Sequence, residues 1–218
     1  MKILSNIIKL RPFYLCILAS ALTLVFVFLA SEVLENETYK FDVGINAFIK
    51  SLRTPFWTEI MKLVSDIGMI GGVFVIGSVC TGLYFHMRFK TLFGLVTSFL
   101  SASLFTYCLK LLIARNRPVI ENRLVVESGF SFPSGHATTA FSAFLILAIL
   151  VYSNSAISKF PKAILLFLFI TFPFLVAFSR LYLGVHYLTD VIAGAIVGSS
   201  AACVFFYSHS KFNHEYYN

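Results

Sequence analysis

Long apolar runs alternate with short polar stretches along this chain, and the runs set its architecture. Six of them, at roughly 13–31, 67–86, 91–113, 137–154, 162–179 and 187–207, are 18 or more residues long. A helix needs about 20 apolar residues to cross the hydrocarbon core of a bilayer. The pattern therefore predicts an all-α fold, a bundle of six transmembrane helices. The breaks carry their own signals. The third run ends at "ARNRP", where Pro118 cannot continue a helix. The fourth and fifth are separated by the turn-rich "SNSAISKFPK". Between the first two spans the spacing changes: Ile45, Phe48, Ile49 and Leu52, then Trp57, Ile60, Met61 and Val64, recur at helical intervals. Thr54-Pro55 reads as an N-cap followed by proline at the first helical position. One or two short helices on the outer membrane surface are expected there, with a loop packed on the spans as the alternative.

Composition agrees with this reading. The chain of 218 residues is 58% hydrophobic and 12% charged, against about a quarter charged in soluble domains. Without a linker or internal repeat, residues 1–218 form one integral membrane domain. The N-terminal basic residues, apolar run and "LASEV" imitate a secretory signal, but the run exceeds the usual span of about 7–15 residues, so an uncleaved first span is expected. Cys16, Cys80, Cys108 and Cys203 sit in or beside apolar runs without a CxxC pair. They read as small apolar side chains rather than as a disulfide framework or a zinc site.

Charge suggests the orientation. With the N-terminus in the cytoplasm, the inner segments hold Lys2, Lys9, Arg11, Arg88, Lys90, Lys159, Lys162 and Lys211 with only Glu215 acidic. The outer segments hold nine basic but also nine acidic residues, so the net charge of +7 falls on one face. Counting Lys and Arg alone, the faces are nearly even, but several outer basic residues belong to the motifs below. The expectation is N-in and C-in. No basic stripe interleaved with aromatics is present, so nucleic acid is not an expected partner.

Polar groups at membrane depth are costly and mark function. Three clusters fall on the outer side. In "KLLIARNRP", Lys110 and Arg117 are seven apart, which on a helix puts both cations on one face, suited to phosphate. Arg115 points elsewhere on that wheel and reads as an interfacial charge. In "SFPSGHATTA", Ser134 can cap a helix, Gly135 lets backbone approach closely, and free N–H groups favour an anion. His136 stands at that mouth, able to exchange a proton. In "SRLYLGVHYLTD", Arg180 closes the fifth span, and His186 and Asp190 are four apart on one helix face. A carboxylate on one ring nitrogen fixes the tautomer and leaves the other nitrogen as nucleophile or base. Each cluster alone is matched by a plain structural role, whether snorkelling cations, a helix cap or a structural pair. Together they describe an anion-processing site with no metal, since the excess of cations would repel one.

At these residues the sequence resembles the type 2 phosphatidic acid phosphatase superfamily, whose pattern is K-x6-RP, PSGH and SR-x5-H-x3-D. Here it reads Lys110 to Arg117-Pro118, Pro133-Ser134-Gly135-His136, and Ser179-Arg180 to His186 to Asp190. The resemblance implies that His186 attacks phosphorus to form a phosphohistidine, that Asp190 holds its ring, and that His136 is the general acid. It also implies that Lys110, Arg117, Ser134, Gly135 and Arg180 bind the phosphate, without metal or cofactor. A small six-span member most resembles undecaprenyl diphosphate phosphatases and phosphatidylglycerophosphate phosphatases of the bacterial inner membrane, and the reading leans to the former. The alternatives are a phosphatidylglycerophosphate, phosphatidate or lipid A phosphatase and, in a different class, a lipid phosphotransferase or a non-catalytic membrane binding protein.

Overall fold

The structure is a computed structural model, and it describes the backbone of residues 2–71, 77–79, 81–82, 85 and 88–214. Among these residues there is no strand. The helices are α1 (Lys2–Leu34), α2 (Tyr39–Ser51), α3 (Pro55–Asp66), α4 (Phe89–Ile113), α5 (Gly135–Ser153), α6 (Lys159–Tyr182) and α7 (Leu188–His214). Among the described residues five stretches are long and apolar enough to cross a membrane: Ile17–Leu34 of α1, α4, α5, α6, and Leu188–His209 of α7. The remaining predicted span, 67–86, opens with a π-helical turn at Ile67–Gly71 and otherwise lies largely outside the described residues.

The spans differ in what surrounds them. Only 6% of the apolar window in α1 is buried, against 56% in α5. Outward side chains such as Leu24 and Phe28 on α1, Leu104 and Leu112 on α4 and Phe167 on α6 are more than half exposed, as suits helices that meet lipid. α5 is the central helix, packed by α6 on one side and α7 on the other. Its contact with α6 is aromatic: Phe141 and Phe174, and Phe144 and Phe172, meet edge to face with centroids 5.0 and 4.9 Å apart. Its contact with α7 is closer. A Cβ added at Gly194 would lie 2.5 Å from the carbonyl oxygen of Ser134, and one at Gly198 would lie 2.6 Å from that of Thr138. The two glycines, four apart, bring backbone against backbone, as small residues do between membrane helices.

The short helices between the first two spans form as the spacing predicts. Thr54 is extended (φ −133°, ψ 157°), accepts a hydrogen bond from the Trp57 N–H and precedes Pro55 at the first helical position. The predicted stripes divide: Ile49 and Met61 are buried, whereas Phe48, Leu52 and Trp57 are exposed. α2 and α3 are tied to the C-terminal end of α6, with Arg53 Nε donating to the Tyr182 carbonyl at 2.8 Å and Thr54 N–H donating to Tyr182 Oη at 2.8 Å. Here α4 and α6 end and α5 and α7 begin, so the three polar clusters converge.

Candidate active site

Lys110 and Arg117 do not share a helix face. α4 stops at Ile113, because Ala114 turns into the left-handed region (φ 49°) and its N–H caps the Lys110 carbonyl. Arg117 therefore lies in the following loop, and the loop rather than a helical repeat brings it back. Both cations brace the 126–134 segment. Lys110 Nζ donates to the Phe130 carbonyl at 2.7 Å, and Arg117 donates to the Gly129 and Ser128 carbonyls at 3.0 and 3.1 Å.

That segment delivers the start of α5. Ser134 is fully buried, its Oγ accepts from Ala137 N–H at 3.4 Å, and its own N–H donates to the Asp190 carbonyl at 2.9 Å. It is the expected cap. A Cβ added at Gly135 meets no protein atom within 4 Å, and its φ is not positive. Neither packing nor backbone conformation demands glycine here. His136, one residue into the helix and partly buried, interacts electrostatically with Arg180, His186, Arg117 and Lys110.

His186 also departs from the helical reading, because α7 begins only at Leu188. The turn before it contains Gly184 at φ +74°, where a Cβ would strike the Asn122 carbonyl at 2.3 Å. His186 sits in this turn, and Asp190 reaches back from the first turn of α7. Its Oδ2 accepts from the Tyr187 N–H at 2.8 Å and pairs with His186 Nδ1 at 3.3 Å. On the other ring nitrogen, Nε2, stands Arg117 Nη1 at 3.0 Å. A guanidinium only donates, so Nε2 carries the lone pair and Nδ1 the proton, which goes to Asp190. Burial of the ring lowers the His186 pKa to about 4, with Asp190 opposing and Arg117 and Arg180 adding to the drop. The imidazole is thus neutral at pH 7, in the tautomer that presents Nε2.

Two residues outside the expected set complete this side. Arg115 is not an interfacial charge. Its Nη1 donates to Asp190 Oδ1 at 2.6 Å and Thr189 Oγ1 at 2.7 Å, its Nη2 donates to Asp42 Oδ2 at 2.7 Å, and its Cζ lies over the Tyr187 ring, 4.3 Å from the centroid. Burial disfavours the Arg115 charge, but Asp190 and Asp42 outweigh it and raise its pKa. Asp42, from α2, is fully buried and also accepts from the N–H and Oγ1 of Thr189 at 3.1 and 2.6 Å. Removing one partner from a buried ion pair costs about 3–5 kcal/mol, so the cluster holds α2, the Arg115 loop and α7 together. Asp42 was legible in principle: it falls on the stripe of Ile45 and Ile49, where a carboxylate must have a partner.

Arg180 closes the opposite side. It is buried, donates through Nη1 to Ser65 Oγ on α3 and through Nη2 to Glu127 Oε1, and keeps a buried Nε with no partner. Glu127 Oε2 lies 3.7 Å from Arg117 Nη2. A carboxylate thus rests between two arginines, as an anion would. Arg117 and Arg180 lie beside the His186 ring, with Arg117 on Nε2, and Lys110 interacts with both arginines, so the cationic set can draw in an anion.

Comparison with known proteins bears on which anion. The family model of the PAP2 superfamily matches residues 91–214. The chain is 31% identical over 183 residues to phosphatidylglycerophosphatase B of Bacillus subtilis, covering 82% of this chain and 88% of that protein. It is 26% identical over 185 residues to a lipid A 4'-phosphatase of Bacteroides thetaiotaomicron, covering 78% and 77%. Among solved structures, a transmembrane PAP2-type phosphatidylglycerolphosphate phosphatase from Bacillus subtilis superposes with a TM-score of 0.78 at 27% identity, over 90% of this chain and 96% of that one.

Proposed function

The chain belongs to the PAP2 superfamily and is a membrane lipid phosphatase, and from that premise we propose its substrate, its mechanism and its compartment. The substrate is phosphatidylglycerophosphate. The relative that carries this choice, phosphatidylglycerophosphatase B, is 31% identical along most of both chains, and it displaces undecaprenyl diphosphate as the first choice. The observation behind the mechanism is the His186 ring, anchored at Nδ1 by Asp190 and offering Nε2 beside Arg117 and Arg180.

Arg117 moves from Nε2 onto the phosphate as the lipid binds. His186 Nε2 then attacks phosphorus, forming the P–N bond as the P–O bond to the lipid breaks. His136 gives its proton to the departing oxygen. Asp190 takes the hydrogen bond of the ring and steadies its positive charge. Lys110, Arg117, Arg180, the Ser134 cap and the Gly135 backbone hold the charge on the phosphoryl oxygens. In the second half, water attacks phosphorus, the P–N bond breaks, His136 takes a proton from the water, and inorganic phosphate leaves. Without a side chain at Gly135, a phosphoryl oxygen reaches the helix N–H groups, which is the reason for glycine that packing does not supply.

The compartment is the bacterial inner membrane, with the site on the extracytoplasmic face. Reporter fusions after residue 125 should be active outside the cytoplasm and fusions at the C-terminus inside it; the reverse result would invert the orientation. The chemistry is tested with purified protein, by comparing phosphate release from phosphatidylglycerophosphate, undecaprenyl diphosphate and lipid A in the presence of EDTA. Phosphatidylglycerophosphate should be the fastest, and His186→Ala should release none. A faster rate on another lipid changes the substrate, and full activity in His186→Ala removes the mechanism.

A further inference from the structure

α2 lies outside the three motifs, yet it reaches the reacting histidine twice. Asn46 Nδ2 donates to the His186 carbonyl at 3.3 Å, and Asp42 binds Arg115 and Thr189 as described. Every oxygen in the inner cluster is used. Asp190 Oδ1 faces Arg115, and Oδ2 faces Tyr187 N–H and His186 Nδ1. Asp42 Oδ1 faces Thr189 N–H, and Oδ2 faces Arg115 and the Thr189 hydroxyl. Arg115 is the only cation bonded to both carboxylates among the described residues, and both are fully buried. Its planar fork fixes the rotation of the Asp190 carboxylate, a task that a lysine cannot perform.

We propose that Arg115, clamped by Asp42 of α2, is a positioning residue for the His186–Asp190 pair: it sets the orientation and the charge of the carboxylate that holds the nucleophile. The proposal rests on His186 being the nucleophile. Arg115 touches no reacting atom, so its effect passes through Asp190. Without the Arg115 charge, the Asp190–His186 pair sits beside an unbalanced Asp42 and binds a proton more tightly, whether that proton is counted on the ring or on the carboxylate. The form able to attack then disappears at a higher pH. On the far side the pair faces Arg117, Arg180, Lys110 and His136, which stay unchanged.

The test follows formation of an acid-labile phosphohistidine from radiolabelled short-chain phosphatidylglycerophosphate, by rapid quench across pH, with the full-length protein in detergent. Arg115→Ala should slow phosphoenzyme formation about 10–100-fold, the range for partners that orient metal-binding histidines. KM should change little, and the acid limb should move up by about one pH unit. Arg115→Lys should keep the limb near that of the wild type with an intermediate rate. Asp42→Asn/Arg115→Ala, which removes one charge of each sign, should bring the limb back without restoring the rate. If Arg115→Ala does not fold, Asp42→Asn alone carries the test, and its limb should move to lower pH. A limb that stays in place in Arg115→Ala and in Asp42→Asn overturns the proposal, because a structural role lowers the rate at every pH alike. Absence of phosphohistidine in the wild type overturns the reading of His186 instead.

Discussion

The two sides of the His186 ring are built on opposite plans. Toward Nδ1 lie Asp190, Arg115, Asp42 and Thr189, where donors and acceptors are matched and both carboxylates are fully buried. Toward Nε2 lie Arg117, Arg180 and Lys110, a cationic set with one buried donor unpartnered and one carboxylate, Glu127, resting between two arginines. One side is closed and fixes a geometry. The other has positive charge in excess and, on the proposed mechanism, rearranges when an anion enters. The difference separates the contacts that hold the His186 ring from those that, on the proposed mechanism, receive the substrate, and substitutions on the two sides should differ in kind as well as in size.

The largest break is on the closed side. Asp190→Asn keeps the shape but loses the charge and the choice of tautomer, and the rate should fall by about 10⁴-fold, measured as phosphate release at saturating lipid. A loss of tenfold or less would mean that Asp190 does not set the tautomer. The wild-type rate should hold down to an acid limb near pH 4, because burial keeps His186 neutral above about 4 and the proposed attack needs the neutral ring. The Arg115 series comes next in size. The smallest effect is on the open side. Glu127→Gln removes a competitor for Arg180, so inorganic phosphate should inhibit roughly fivefold more strongly, about 1 kcal/mol of tighter binding. Unchanged or weaker inhibition would assign Glu127 a role other than competing for the anion site.

Much of this was legible in the amino-acid order. The apolar runs gave the all-α membrane bundle, because lipid demands length and hydropathy before anything else. Lys110, Arg117, Ser134, Gly135, His136, Arg180, His186 and Asp190 converge because the ends of four helices meet. The helical wheel failed where the helices themselves stop. Ala114 ends α4 before Arg115 and Arg117, and α7 starts after His186. Positions judged by a repeat of 3.6 residues were then placed by turns instead. For that reason Arg115 read as an interfacial charge although it holds two buried carboxylates. Glu127 lay in a segment with no periodicity, and nothing local tied it to Arg180, 53 residues away.

The paired glycines of α7 have a mechanical consequence. His136 is carried by α5 and His186 by the turn that leads into α7, so the gap between the proposed proton donor and the proposed nucleophile follows the gap between these two helices. At Gly194 and Gly198 the α5 main chain and the Cβ atoms of Ala137 and Phe141 come so near that an added Cβ would not fit, so no flexible side chain on α7 spaces the two helices there. Bilayers of different thickness tilt and bend their helices. That strain should be taken up first by α1, the least buried of the described spans, while the spacing between α5 and α7 stays constant from one membrane composition to the next.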